Sequence, residues 1–266
     1  MYDSSKIWHT VQRVRTEAPL VQNITNYVAM DVSANALLAF GASPAMVHAE
    51  EEVADFVGIS GALVINIGTL SPSWVRAMVI AVQAAQSHGK PWVLDPVGAG
   101  ATPYRTSVAR DLSRRGPAVI RGNASEILAL AGASDVSTKG VDSVHQSEHA
   151  LGVARELAAE LGCVIAVTGE TDYVTDGERV MSIGNGHPMM TRITALGCAA
   201  TAMVAACLAV EPDPVLAAGH ALAVLGVCGE AAAEQADAPG TLRMRLIDNL
   251  YLMDDHSLSR ARVELE

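Results

Sequence analysis

At residues 194–201 the chain reads Thr194-Ala195-Leu196-Gly197-Cys198-Ala199-Ala200-Thr201, and an uncharged run of small and apolar residues continues to Val210. The run stops at Glu211-Pro212-Asp213-Pro214. This pattern predicts a loop that turns into a buried helix, with Cys198 in the first turn. Because a helix start offers backbone N–H groups without helical partners and the positive end of the helix dipole, the stretch predicts an anion site, most commonly for phosphate. The alternative is a core helix that carries an inert thiol.

Before this stretch, short apolar runs alternate with longer helical segments, which is typical of a mostly parallel sheet covered by helices on both faces. The predicted strands are Leu20–Asn23, Ala45–Val47, Ala62–Asn66, Trp92–Asp95, Ala118–Arg121 and Val164–Thr168. Helices are predicted at about 26–40, 50–59, 71–88, 105–115, 123–132 and 146–161. Asp176-Gly177 predicts a hairpin between Tyr173–Thr175 and Arg179–Ile183, and helices at 197–210, 213–236 and 241–253 follow. We therefore expect an α/β fold in one domain, 1–266, with a charged peripheral tail at 254–266.

Composition narrows the possible partners. The chain has 266 residues, of which half are apolar, and a formal charge of −11, which argues against binding of nucleic acid or anionic membranes through basic patches. Its four cysteines show no CxxC spacing, and residues 1–15 contain no apolar signal-peptide region, so we expect a cytoplasmic protein. The uncharged stretch Ala195–Val210 has 16 residues, fewer than the ~20 that a membrane span needs, and predicts a buried helix instead.

Polar and glycine-rich residues follow the predicted strands. In a doubly wound sheet, ligands bind beyond the carboxyl ends of the strands. The residues at those ends are Asn23-Ile24-Thr25-Asn26, Met46, Gly68-Thr69, Asp95 to Gly100, Arg121-Gly122-Asn123 and Thr168-Gly169-Glu170. The opposite ends show plain turns such as Lys90-Pro91. This asymmetry predicts one functional edge.

Asp95 ends an apolar strand and meets Pro96, Gly98 and Gly100. The two glycines lack the third glycine of the dinucleotide-binding fingerprint, and the chain contains no GxxxxGK[ST] phosphate loop. Such a loop still lets backbone amides approach an anion closely. Asp95 is a candidate site residue, and the alternative is a turn residue at the end of a strand.

Three other strand-end residues are candidates. Asn123 and Glu126 have the spacing of a helix capping box, and a Glu126 carboxylate at a helix start also suits a water-mediated Mg²⁺ shell with Asp95. Arg121 ends a buried strand and needs a carboxylate or phosphate partner. Thr168 either hydrogen-bonds a phosphate or ribose or begins a turn.

Two histidines, in His145-Gln146-Ser147-Glu148-His149, have the i, i+4 spacing of a zinc helix. The stretch is not HExxH, and no further Cys or carboxylate is placed to complete a tetrahedral set. It predicts a solvated helix start. Cys163, Cys207 and Cys228 are interpreted as core thiols.

Several of these stretches, in the same order and over about residues 18–253, resemble the hydroxyethylthiazole kinase family of the ribokinase-like superfamily. They are Asn23-Ile24-Thr25-Asn26, Gly41 to Met46, Asn66 to Leu70, Asp95 to Thr102, Arg121 to Glu126, Lys139-Gly140-Val141-Asp142 and Thr168-Gly169-Glu170. The resemblance implies a three-layer fold and phosphorylation of 4-methyl-5-(2-hydroxyethyl)thiazole in thiamine salvage, dependent on ATP and Mg²⁺. It also implies a homotrimer with active sites between neighbouring subunits.

The resemblance also implies roles for individual residues. Substrate binding falls to Met46, Asn26, Gly68 and Ala195, and ATP binding to Arg121, Thr168 and Gly197. Asp95 and Glu126 would hold Mg²⁺ through water. Cys198 would stand beside the reacting hydroxyl, where related superfamily kinases place an aspartate, and we expect the helix start to lower its pKa.

One motif departs from the family pattern. The usual Gly-Ala-Gly-Cys reads Ala195-Leu196-Gly197-Cys198 here. If either changed position requires the geometry of glycine, we expect weaker anion binding. Three alternatives therefore stay open: a kinase for a pyrimidine or pyridoxal-type alcohol, an ADP/ATP-dependent dehydratase of the same superfamily, and a ligand sensor without turnover.

Overall fold

A single sheet carries the functional edge. The computed structural model describes residues 2–132 and 143–266, with side chains at 2–132 and 150–266. The strands are β1 (Leu20–Ile24), β2 (Ser43–Ala45), β3 (Ala62–Asn66), β4 (Trp92–Asp95), β5 (Val119–Asn123), β6 (Val164–Thr168), β7 (Asp172–Thr175), β8 (Val180–Ile183) and β9 (Val263–Leu265). Their order is β2-β1-β3-β4-β5-β6-β7-β8-β9.

The first six strands are parallel, and the last three pair antiparallel. All residues of β3 are buried, with Leu63 and Ile65 in one core cluster and Val64 in the other. Since successive side chains of a strand point to opposite faces, this apolar strand serves two helical layers. The predicted mostly parallel sheet flanked by helices is confirmed, and β3, β4 and β6 have the predicted bounds.

Helices cover both faces. They are α1 (Ser4–Glu17), α2 (Met30–Phe40), α3 (Val53–Ile59), α4 (Pro72–Ser87), α5 (Pro103–Ser113), α6 (Ala124–Ala131), α7 (Ser143–Leu161), α8 (Leu196–Leu208), α9 (Pro214–Ala233), α10 (Pro239–Leu252) and α11 (Asp255–Leu258). One core cluster joins the sheet to α1, α2 and α8–α11, and the other joins it to α3–α7. The result is a three-layer arrangement with α8 and α9 packed together against the sheet.

Helices α8 and α9 form the buried pair that the apolar run predicts. By length and composition α9 is apolar enough to cross a membrane, but 83% of its most apolar window is buried inside the protein. Asp213 caps α9 by accepting hydrogen bonds from the amides of Val215 and Leu216, and Pro214 occupies its first turn. The Pro-rich stop after α8 is therefore the turn between two core helices.

Both chain ends add elements beyond the predicted ones. Helix α1 buries Ile7, Val11 and Val14, whose i, i+4, i+7 spacing is that of one helix face. The charged segment 254–266, expected to form a peripheral tail, contains α11 and supplies the edge strand β9, with Leu258 and Val263 buried. This segment lies beside the end of β8 and so contributes to the surroundings of the functional edge.

Candidate active site

The start of α8 lies at the carboxyl edge of the sheet. Ala195 is its N-cap and provides no side-chain cap, and Ala199 donates the first helical hydrogen bond to the Ala195 carbonyl. The amides of Leu196, Gly197 and Cys198 precede that bond and have no acceptor within the helix. The predicted loop-to-helix transition is thus present, with uncapped donors at its tip.

Asp95, at the end of β4, is the centre of a buried polar cluster. Its Oδ2 accepts hydrogen bonds from Thr201 Oγ1 at 2.9 Å and Asn66 Nδ2 at 2.8 Å. Its Oδ1 has no hydrogen-bond partner, and the nearest cation is Arg121 Nη1 at 3.9 Å. Burial raises the pKa of Asp95 to about 6, Arg121 counteracts this, and the charge of Glu126 adds to it. The carboxylate has a free acceptor that fits a hydrated cation.

Arg121 reaches from β5 towards the start of α8. Its Nη2 donates to Thr168 Oγ1 at 2.6 Å, whereas its Nε has no hydrogen-bond partner. A Cβ added to Gly197 would lie 2.6 Å from Arg121 Nη1, so only glycine leaves room for the guanidinium there. The expected carboxylate partner, Asp95, is too far away for a hydrogen bond. The guanidinium therefore keeps donors for an anion above the helix start.

Glu126 combines the two interpretations of its position. The capping box of α6 is present: Glu126 accepts from the Asn123 amide, and Asn123 accepts from the Glu126 amide. Glu126 Oε1 also accepts a hydrogen bond from the Gly98 amide at 2.8 Å. The carboxylate thus ties the glycine loop after β4 to the start of α6, close enough to Asp95 to affect its pKa.

Cys198 lies on the other side of the α8 start. Asn26 Nδ2 donates to Cys198 Sγ at 3.4 Å and to Asn66 Oδ1 at 2.8 Å. Burial, followed by the charge of Asp95, raises the pKa of Cys198 to about 11. The expectation that the helix start lowers this pKa is therefore wrong, because desolvation and a nearby carboxylate outweigh the dipole. At neutral pH the group is a thiol.

Two further predicted substrate residues lie at the same edge. A Cβ added to Gly68 would lie 2.5 Å from Asn26 Nδ2, which explains a glycine at this close approach. Met46 is half-buried and directly follows β2, the neighbour of the strand that leads to Asn26. Both positions agree with a substrate site on the Asn26 side of α8.

A cleft of about 810 Å³ opens on the Arg121 side of α8. Its polar end contains Arg121, Thr168 and Gly197, and its walls are largely apolar. The wall residues are Gly184 to Pro188, Met190, Thr191, Ile193, Leu196, Ala200, Leu222, Leu225 and Gly226, and the rest of the lining is Gly169, Glu170 and Asp172. A concave site of this size, with polar groups at one end, suits a nucleotide-sized ligand.

Ala195 adopts the left-handed conformation that glycine favours, with φ 63°. Among the described residues, Ala18 at φ 44° is the only other non-glycine residue with positive φ. The geometry of the loop is therefore kept despite the alanine, and the departure from the family motif appears as backbone strain.

We expect Ala195→Gly to raise the free energy of unfolding by about 1 kcal/mol, because glycine adopts positive φ without the Cβ clash. Because the loop already has this geometry, kcat/KM should change by less than about twofold. Chemical denaturation and steady-state kinetics measure the two effects. Ala18→Gly, at the end of α1, is the matched control and should give a similar stability gain. A large rise in kcat/KM for Ala195→Gly alone would show that the alanine distorts the site.

Sequence reasoning missed three residues that organise the site. Asn66 and Thr201 orient Asp95, and Arg105 donates hydrogen bonds to the carbonyls of Ile67, Val97 and Gly68. Asn66 is the polar last residue of a buried strand, and this was the available signal. Arg105 had none, since its partners are carbonyls of distant loops.

The other sequence candidates lie elsewhere or outside the described part. Cys163, Cys207 and Cys228 are buried free thiols, as predicted. Lys139-Gly140-Val141-Asp142 lies outside the described residues, as do the side chains of His145 and His149. Within the described residues, no three His, Cys, Asp or Glu side chains gather into a group that would hold a metal ion directly.

Comparison with known proteins assigns the chain to a family. The sequence model of the hydroxyethylthiazole kinase family matches residues 11–256. Hydroxyethylthiazole kinase of Syntrophus aciditrophicus is 50% identical over 254 residues, which cover 95% of this chain and 94% of that protein. The structure of the hydroxyethylthiazole kinase protein from Pyrococcus horikoshii has a TM-score of 0.92 and 42% identity, covering 98% of this chain and 99% of that one.

A more distant structure shows how widely the fold is shared. A ribokinase-like superfamily protein from Enterococcus faecalis has a TM-score of 0.68 at 15% identity, covering 94% of each chain. At that identity the likeness concerns the fold alone. With the family match over nearly the whole chain, the fold is ribokinase-like and the chain belongs to the hydroxyethylthiazole kinase family.

Proposed function

We propose that the chain transfers the γ-phosphoryl group of ATP to the primary alcohol of 4-methyl-5-(2-hydroxyethyl)thiazole, a step of thiamine salvage. The main supporting observation is the convergence of the uncapped α8 start, Arg121 and Asp95 at one edge of the sheet. The adjoining cleft of about 810 Å³ is large enough for ATP, and the family membership supports the thiazole alcohol as acceptor.

ATP would occupy the cleft, with its phosphates at the polar end. Arg121 presents unpaired donors there, Thr168 holds its guanidinium, and Gly197 leaves the space above the helix start open. Guanidinium groups and helix N-termini are both suited to phosphate. These local donors would bind the polyanion despite the net charge of −11.

The thiazole would lie on the opposite side of the helix start. Met46, Asn26, Gly68 and Ala195 are the proposed contacts. Methionine is a polarisable partner for a sulfur heterocycle, and Asn26 lies next to Cys198. In this arrangement the alcohol oxygen and the γ-phosphoryl group meet in front of Gly197 and Cys198.

Asp95 and Glu126 would hold Mg²⁺ through water molecules. The unpartnered Oδ1 of buried Asp95 fits this role, because a buried carboxylate oxygen without a partner is costly unless a cation or water satisfies it. When bound, the ion would neutralise charge on the phosphate oxygens. Asn66 and Thr201 keep the carboxylate oriented by occupying its Oδ2.

In the proposed reaction, the alcohol oxygen forms a bond to the γ-phosphorus as the bond between that phosphorus and the β,γ-bridging oxygen breaks. ADP leaves, and the alcohol proton is released. Because this transition state is loose, positioning and charge stabilisation by Arg121 and the helix-start amides should supply most of the acceleration. A thiol with a pKa of about 11 contributes little as a base at neutral pH.

We therefore expect Cys198→Ala to retain activity within about tenfold of the unmodified protein, since general-base help at its low end is worth ~10²-fold and the thiol is protonated. Cys198→Asp should keep or raise activity, because a carboxylate is ionised where the thiol is not. Between pH 7 and 9 the kcat profile of the unmodified protein should show no step that Cys198→Ala removes. Complete loss of turnover in both variants, with folding intact, would contradict this role for Cys198.

The active assembly is proposed to be a cytoplasmic homotrimer with sites between subunits. Tyr27 and Val28, which directly follow Asn26, are 68% and 57% exposed although both are largely apolar. An apolar surface beside the substrate side of α8 supports a neighbouring subunit there. Sedimentation equilibrium would test this, and a monomer that is fully active would exclude it.

Formation of ADP with a panel of hydroxyethyl heterocycles, with and without Mg²⁺, tests the function. ADP and a phosphate ester should form from the thiazole alcohol, and only with the metal. Faster turnover of a pyrimidine or pyridoxal-type alcohol would favour another acceptor, and ADP formation without a phosphate ester would favour a dehydratase. Tight binding of ATP and thiazole without ADP release would identify a sensor.

A further inference from the structure

One wall of the cleft is a short segment, Gly184 to His187, that leaves the end of β8 without regular secondary structure. Its backbone polar groups need partners outside any ladder. Many of these partners come from the C-terminal segment: the Gly184 amide donates to the Arg262 carbonyl at 2.9 Å, and Arg262 Nε donates to the Gly184 carbonyl at 3.1 Å. The shape of this wall thus depends on residues far away in sequence.

Asn185 ties the same segment to two other elements. Its Oδ1 accepts from the Arg262 amide at 2.6 Å, and its Nδ2 donates to the Arg260 carbonyl and to Glu230 Oε2, both at 3.1 Å. The side chain is 5% exposed, so these bonds are shielded from water. A Cβ added to Gly226 would lie 2.7 Å from the Asn185 carbonyl, which shows how closely α9 approaches the wall.

Glu230, on α9, connects these contacts. Its Oε1 accepts from the Gly186 amide at 3.0 Å and also pairs with Arg262 Nη2. Burial alone would raise the pKa of Glu230, but the hydrogen bonds from Arg262, Gly186 and Asn185 outweigh it and lower the pKa. The group is therefore ionised at neutral pH, and charge-assisted bonds of this kind hold a backbone firmly. Glu230 itself does not line the cleft.

We propose that Glu230 is a positioning residue for the nucleotide: with Arg262 it holds the Gly184–His187 wall in the conformation that binds the nucleoside part of ATP. This inference rests on the proposed assignment of the cleft to ATP. A wall fixed before binding spares the ligand the entropy of ordering it, so loosening the wall should weaken nucleotide affinity and leave the chemical step unchanged.

The same two elements provide a matched control. Glu234, one turn further along α9, pairs with Arg260, and this pair is exposed. Glu234 makes no bond to residues 184–187 among the described contacts. Glu234→Ala thus breaks an ion pair between α9 and the C-terminal segment without touching the wall.

The test is calorimetric titration of a non-hydrolysable ATP analogue, together with steady-state kinetics. Glu230→Ala should raise Kd for the analogue and KM for ATP by about tenfold, with kcat and the thiazole KM within about twofold. Glu230→Gln, which keeps an acceptor for the Gly186 amide, should recover part of this loss. Glu234→Ala should behave like the unmodified protein.

Arg262→Ala provides a second variant should Glu230→Ala fold poorly, since the Arg262 side chain is 58% exposed and its removal keeps the backbone bond to Asn185. It should raise Kd by about threefold. Equal Kd values for the Glu230 and Glu234 variants, with circular dichroism unchanged, would overturn the inference alone. Failure of the unmodified protein to bind the analogue would instead overturn the assignment of the cleft to ATP.

Discussion

Replacing Asp95 with asparagine is expected to lower kcat by about a thousandfold, since it removes the charged acceptor proposed to hold the metal shell and to organise the transition state. The stability of the protein should not fall. Burial raises the pKa of Asp95 to about 6, which means that the folded state disfavours the charge. A neutral amide of the same shape can still accept from Thr201. Steady-state kinetics at saturating ATP and Mg²⁺, together with chemical denaturation, measure the two effects.

Asp213 provides the opposite control, because it also holds an arginine but lies away from the edge. Arg179 donates to both of its carboxylate oxygens, at 2.6 and 3.2 Å. Burial alone would raise the pKa of Asp213, but the hydrogen bonds from Arg179 outweigh it and lower the pKa. Asp213→Asn should therefore reduce stability and leave kcat unchanged. If Asp95→Asn retained more than about a tenth of kcat, Asp95 would not carry the metal-dependent step.

The sheet was predictable because its strands are continuous apolar runs bounded by turns. In β3, β4 and β6 every residue or nearly every residue is buried on both faces, so the runs begin and end with the strand. The edge strand β2 is only half-buried, and its predicted position was displaced by two residues at its start. Where packing does not determine the pattern, the pattern does not define the strand.

The convergence of the site was also predictable, since parallel strands bring their carboxyl ends to one edge. The partners of each side chain were not. His220 carried no usable signal in the sequence, yet it is buried between Tyr2 and Thr10, with hydrogen bonds of 2.9 and 2.8 Å. Such pairings join residues more than 200 positions apart, and only the tertiary structure defines them.

Cys198 shows the same limit for electrostatics. Its place in the first turn of α8 is a local feature, and the sequence predicted it. Its pKa depends on how deeply the turn is buried and on Asp95, which comes from another strand. A prediction from the helix dipole alone therefore had the wrong sign.

Gly197→Ala is expected to lower kcat/KM for ATP by about a hundredfold, by moving Arg121 away from the phosphate position. The added Cβ would lie 2.6 Å from Arg121 Nη1 and 2.9 Å from Nη2, closer than such contacts occur. The clash involves the end of a flexible side chain, so the guanidinium can move and the fold should be kept. Its bond to Thr168 Oγ1 would be lost at the same time.

The kinetic pattern should identify the cause. Because Arg121 lies on the cleft side of α8, KM for ATP should rise more than KM for the alcohol, and Arg121→Ala should show the same pattern. Gly152→Ala, in the interior of α7, is the control: no neighbouring atom lies within 4 Å of its added Cβ, so it should raise stability by about 1 kcal/mol without kinetic effect. Normal ATP kinetics in Gly197→Ala would mean that Arg121 does not contact the phosphates, and the anion site at the start of α8 would lose its main support.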